Sequence, residues 1–161
     1  MVELPPSEPG ETPSARLARN FSELLQELRV AQAGVQILFA FLLAIVFTEP
    51  YEEQSDFVRG LHLVTMLSAA ASSALLIAPA VWHRILFRHR RREDILRHAN
   101  LCALAGSGFL AATMSGTVLI VAEVAVGGWI AIVIGAVTAV FFVGLWFAVP
   151  RLLRPDDELR K

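Results

Sequence analysis

The chain has 161 residues, room for one domain, and 55% of them are hydrophobic, giving a mean hydropathy of +0.57. That apolar share exceeds what a soluble domain carries, and the charged residues, 18% of the chain, are missing from four long stretches. The net charge of −1 hides a strong segregation of charge along the chain, and a single cysteine, Cys102, excludes an intrachain disulfide and a cysteine-based metal cluster.

Residues 1–13 hold four prolines, Gly10 and three glutamates, too little apolar surface to offset the entropy of ordering, and are expected to form a flexible cytoplasmic tail. This acidic start lacks the basic lead of a cleavable signal, so the first apolar stretch is expected to stay as an anchor. Thr12 followed by Pro13 reads as a helix start, since proline is tolerated in a first turn. Leu17, Phe21, Leu24, Leu25 and Leu28 then recur at spacings of three and four, with Arg16, Arg19, Glu23 and Glu27 largely on other faces. The spacing predicts an N-terminal amphipathic cytoplasmic helix over 14–29 that continues into the first span.

That span covers about 30–47, which at 1.5 Å per residue reaches ~27 Å, close to a hydrocarbon core of ~30 Å. The others are expected at 61–82, with Pro79 near one end, at 99–121, and at 129–149, where Pro150 is expected to stop the helix. Together they make an all-α, integral membrane four-helix bundle over 14–149, followed by a cytoplasmic tail over 150–161.

Arginine sets the orientation. The segment HRILFRHRRREDILRH between spans two and three has six arginines, the tail after Pro150 has three plus Lys161, and the N-terminal segment adds Arg16, Arg19 and Arg29. The two remaining loops hold Arg59 alone and carry Glu49, Glu52, Glu53, Asp56 and Glu123. The positive-inside rule then puts both termini in the cytoplasm, in a multi-pass protein of a bacterial plasma membrane. Thirteen of the 14 basic residues are arginine, a bias that accompanies a GC-rich genome.

No span has a carboxylate, lysine or arginine near its centre. Glu49, His62 and Glu123 lie at span ends, where they read either as interfacial groups touching water or as an outward-facing proton or cation site. Gln32 and Gln36 share a helix face with Arg29 one turn below, and Gln36, Ser72 and Thr138 fall near mid-membrane. Gln32, Gln36, His62, Ser72 and Thr138 therefore read as an interhelical hydrogen-bond seam or as the lining of a polar path. Small residues recur at Gly108, Ala112 and Gly116, and at Ala131, Gly135 and Ala139, grooves that would pack the bundle or pair two copies. No phosphate loop, His-Glu-x-x-His pair or nucleophile elbow is present, and no catalytic residue, metal site or cofactor is expected.

NFSELLQELRVAQAGVQILFAF, from Asn20 to Phe41, resembles the opening of an uncharacterised actinobacterial family of small four-span membrane proteins, a domain of unknown function. Pro79, His83, Arg84 and Phe87, in a P-x-x-x-H-R-x-x-F pattern, and Trp146 with Pro150, extend the similarity over most of the chain. Some members carry a sodium:proton antiporter label. The residues give it little support, because such exchange usually needs a titrating carboxylate at mid-membrane, where this chain has Gln36.

The expected function is a non-enzymatic structural, accessory or partner-binding component at the cytoplasmic leaflet. Glu23, Glu27, Arg29, Arg84, Arg88 and Arg91 are the candidate docking or lipid-headgroup contacts, since a basic cluster beside a span attracts anionic lipid. A protein partner or a second copy fits the same surface; nucleic acid does not, because Glu93 and Asp94 interrupt the basic run. The alternative is a small oligomeric ion- or proton-coupled transporter or channel.

Overall fold

In the computed structural model, which describes residues 12–86 and 92–153, the chain is all-helical and has four helices long and apolar enough to cross a membrane. Helix α1 spans Pro13–Ile45, α2 is a single turn at Glu49–Glu52, α3 spans Asp56–Leu86, α4 spans Arg92–Ala125 and α5 spans Gly128–Val143. A π-helical turn, Gly144–Ala148, leads into α6, Val149–Leu152.

The helix starts are capped as their residues dictate. Thr12 Oγ1 accepts the Ala15 N–H at 3.3 Å with Pro13 behind it, and Ser55 Oγ accepts the Val58 N–H at 3.3 Å, with Asp56 facing the positive end of α3. Gly127 and Gly128 both sit at φ +65°, a backbone state that a side chain disfavours, and so reverse the chain between α4 and α5. The stretch 14–29 is not a separate element: α1 runs through it and the first span without a break.

Packing follows a seven-residue repeat. Phe21, Leu28, Val35 and Leu42 are the buried stripe of α1. On α3 the buried positions are Val58, His62, Thr65, Ala69, Ser72, Leu76 and Pro79, spaced alternately by four and three. On α4, Ala99, Ala103, Gly106, Leu110, Thr113 and Ile120 follow the same rhythm. A spacing of 3.5 keeps one seam facing a neighbour, as in left-handed, nearly aligned helix packing. The contacts run in opposite senses along each pair, so neighbours are antiparallel: Leu42 meets His62 and Gln32 meets Leu76, while Thr65 meets Gly116 and Leu76 meets Gly106.

Helices α1, α3 and α4 share the core of Leu28, Val35, Leu42, Ala69, Leu76, Ala103 and Leu110. Helix α5 packs mainly on α4, burying Ala131 and Gly135, where Leu119 Cβ lies 2.9 Å from the place a Gly135 Cβ would take. The remaining faces of α5 are apolar and exposed, as lipid-facing surface would be.

Two expectations are corrected. Pro150 does not stop the last helix, because the Val149 N–H reaches back five residues to Gly144 O, and the wider turn makes room for a residue that lacks an N–H donor. The chain then stays helical to Leu152, with Arg151 Nη1 donating to Phe147 O at 2.6 Å. The groove of Gly108, Ala112 and Gly116 is not one packing face: Ala112 is exposed, Gly108 has only Phe147 Cζ at 3.9 Å, and Gly106 provides the closer approach.

Candidate functional site

The polar groups within the spans divide by chemistry. Most hydroxyls satisfy themselves on their own helix, Ser72 being the exception: Thr65 bonds Leu61 O, Ser68 bonds Val64 O, Thr113 bonds Phe109 O and Thr138 bonds Ile134 O, each four residues back. Thr138 therefore contributes nothing to a neighbouring helix through its hydroxyl.

Three side chains do cross between the long helices, two of them at one level of the bundle and His62 at the other end. Gln32 Nε2 donates to Leu76 O at 2.8 Å, and Ser72 Oγ donates to Gly106 O at 2.8 Å. Both meet at the Leu76–Gly106 contact, where Leu76 Cδ2 lies 2.8 Å from the position of a Gly106 Cβ. Only a glycine lets α4 come that close. Pro79 leaves Leu75 O without its helical donor, and Gln32 bonds the next carbonyl along. Gln36, one turn from Gln32, is exposed on the outer surface of α1 and has no side-chain hydrogen bond among the described residues.

His62 sits at the other end of the bundle. The sequence reads it as a boundary group touching water, as part of an outward-facing proton or cation site, or as a member of the polar seam; the structure buries it to 2% exposure. Its Nε2 lies 2.9 Å from Leu42 O and its Nδ1 2.9 Å from the Tyr51 hydroxyl, with the two rings edge to face at 5.1 Å. A carbonyl only accepts, so Nε2 carries a proton and, in the neutral ring, Nδ1 accepts from Tyr51. Glu49 is exposed on the neighbouring turn and Glu123 is half-buried on α4; neither is joined to His62 by a hydrogen bond. Arg59 Nη2 donates to Glu52 O and pins α2 from the side.

At the end where α1 begins and α3 finishes, Glu23, Glu27, Arg29 and Arg84 are all exposed. Glu23 pairs with Arg19 at 3.6 Å, one turn away. Arg88 and Arg91 lie outside the described residues. Of the intramembrane candidates, only Gln32 and Ser72 come together; Gln36, His62 and Thr138 stand apart.

Three participants escape a reading of the sequence. Tyr51 and the Leu42 carbonyl complete the His62 tie, which only tertiary contact reveals. Asn20 is buried with both amide atoms unpartnered, and its place beside Phe21, at the head of the heptad stripe, is the signal that would have marked it. Among the described residues no three His, Cys, Asp or Glu gather to hold a metal ion.

No curated protein and no solved structure matches the chain. A family model matches residues 10–150, nearly the whole of this multi-pass membrane protein, and the chain therefore belongs to that family, described as a family of unknown function (DUF6328).

Proposed function

We propose that this protein is a non-enzymatic membrane component that docks anionic lipid or a partner protein through a helical overhang on the cytoplasmic leaflet. One observation carries the reading. Helices α1, α3 and α4 have 33, 31 and 34 residues. At 1.5 Å per residue each measures about 46–51 Å, against a hydrocarbon core of ~30 Å. Short connections at 46–55 and 126–127 hold the opposite end close to the spans, so the excess of about 15–20 Å emerges where α1 begins and α3 gives way to α4. Arg19, Glu23, Glu27, Arg29, Arg84 and Arg97 line that overhang. The positive-inside rule assigns this end to the cytoplasm, and a bacterial plasma membrane is the proposed location.

The same geometry weighs against an ion path. Gln36 points away from the bundle, Ser72 and His62 are tied to carbonyls of neighbouring helices, and Thr138 is bonded within its own. An exchanger needs polar groups arranged along one route.

Two measurements test the reading. Native mass spectrometry of the purified full chain should retain anionic phospholipid, and a variant with Arg84→Gln, Arg88→Gln and Arg91→Gln together should lose it. Proteoliposomes should show no sodium-dependent proton movement. Such flux, abolished by Gln36→Leu in protein that still folds, would overturn the proposal in favour of transport.

A further inference from the structure

Gln32 and Gln36 lie one turn apart on α1, yet only the first has a partner. Gln36 stands between the two points where α1 is tied to α3, at Gln32–Leu76 and at Leu42–His62, which places it level with the middle of the second span. An amide there faces hydrocarbon. Its amide has no partner among the described residues, unlike that of Gln32, and in hydrocarbon a donor and an acceptor for it are to be found outside the bundle.

Arg29, Ala33, Gln36, Ala40 and Leu43 are all exposed and, spaced alternately by four and three, form one line along the side of α1 away from its core stripe. Alanines flank the glutamine one turn above and one turn below, leaving space for another backbone to approach. Helix α5 exposes more apolar surface, but lipid tails satisfy that surface completely.

We infer that this face of α1 pairs with the same face of a second copy, with the two Gln36 amides hydrogen-bonded across a two-fold axis normal to the membrane. An amide carries both a donor and an acceptor, so a symmetric pair makes two bonds with no further residue, Nε2 of each to Oε1 of the other. Two copies inserted in the same direction present parallel α1 helices, and a two-fold axis between them brings position 36 against position 36. Between Ala33 and Leu43, Gln36 is the one polar residue of this line, and a single polar residue at such a position also fixes the register of the pair. This pairing is independent of what the charged overhang binds.

Cysteine cross-linking in native membranes tests it, starting from Cys102→Ser, which removes the one native thiol. Ala33→Cys and Ala40→Cys should each give a disulfide-linked dimer on mild oxidation, whereas Val137→Cys on α5 should not. Adding Gln36→Leu should reduce self-association roughly tenfold, while Gln36→Asn, which keeps the amide, should retain most of it. Leucine at a lipid-facing site leaves the fold of one copy intact, and an unchanged thermal unfolding profile in detergent verifies this. The inference fails if positions 33 and 40 give no dimer, if they link only to a protein of another mass, if Val137→Cys links as well as they do, or if Gln36→Leu leaves the dimer unchanged.

Discussion

His62 Nε2 donates to the carbonyl oxygen of Leu42 across 2.9 Å and so ties the second span to the last turn of the first. The final carbonyls of any helix lack intrahelical donors. Here Ala44 O receives the Phe47 N–H and Ile45 O receives both the Thr48 N–H and its hydroxyl, so the loop serves the last two. Leu42 O lies deeper and is met by a side chain from the neighbouring helix. Tyr51 closes the arrangement by binding the other ring nitrogen.

Replacing His62 with leucine should therefore destabilise the protein by about 1–3 kcal/mol, because a buried ring loses both of its hydrogen bonds, to Leu42 O and to the Tyr51 hydroxyl. Tyr51→Phe removes only the outer hydrogen bond and should cost about 0.5–1.5 kcal/mol. Thermal unfolding in mild detergent should rank the three proteins as wild type, Tyr51→Phe, His62→Leu. The reverse order of the two variants would mean that the ring merely fills space.

The contact between Gly116 and Thr65 makes a second test. A Cβ on Gly116 would lie 2.4 Å from Thr65 Oγ1 and 3.0 Å from its Cγ2. Gly116→Ala should force α3 and α4 apart, at about 1–3 kcal/mol. Adding Thr65→Ala removes both offending atoms and should recover much of the loss, giving a coupling energy in a double-mutant cycle. Gly108→Ala, with nothing closer than Phe147 Cζ at 3.9 Å, should leave the unfolding temperature unchanged or slightly raised.

That contrast also shows what the sequence could and could not convey. Long uncharged stretches announce spans because the desolvation of charge is local and additive along the chain, and so the four long helices, and the Thr12–Pro13 start of α1, were legible. Which of several glycines touches a neighbour depends on the rotation of one helix against another. Spacing by four picked Gly108 and Ala112 alongside Gly116; the heptad rhythm on α4 passes through Gly106 instead. The two glutamines show the same limit. Gln32 and Gln36 look alike in sequence, and a rotation of about 40° around the helix, the excess of four residues over one whole turn, contributes to one reaching Leu76 O and the other facing outward. For His62 the distance from the span end and a place in an interhelical polar seam are readable, but not its burial or the packing of Tyr51 over it.

The π-helical turn at Gly144–Ala148 carries a third prediction. Pro150 lacks the N–H that an α-helical continuation would direct at Trp146 O, and its ring would crowd that carbonyl. Pro150→Ala restores the donor and should let the turn tighten into α-helix, rotating residues beyond it by about 100°, the angle of one residue. Trp146, now edge to face with Phe142 at 5.1 Å, would change its surroundings. In a Trp82→Phe, Trp129→Phe background the emission of the remaining tryptophan should shift on Pro150→Ala. An unchanged spectrum would show that the contact of Phe147 with Gly108, rather than the proline, holds the wider turn.

Orientation in the membrane is the prediction on which the docking reading depends. Hydrogen bonds and packing hold the antiparallel helices together whichever way the bundle is inserted, so the direction rests on charge. Thirteen of the 14 basic residues belong to the end that carries both termini and the 83–98 segment, and Arg59 alone belongs to the other. Arginine resists translocation during insertion, while Glu49, Glu52 and Glu53 scarcely do, which is why the basic residues decide. In the Cys102→Ser background, Glu53→Cys should react with a membrane-impermeant maleimide on intact cells, and Arg90→Cys should react only after the membrane is opened. Equal labelling of both positions from outside would break the antiparallel arrangement. Labelling of position 90 alone would turn the bundle over, placing the charged overhang outside the cell and removing the cytoplasmic leaflet as its target.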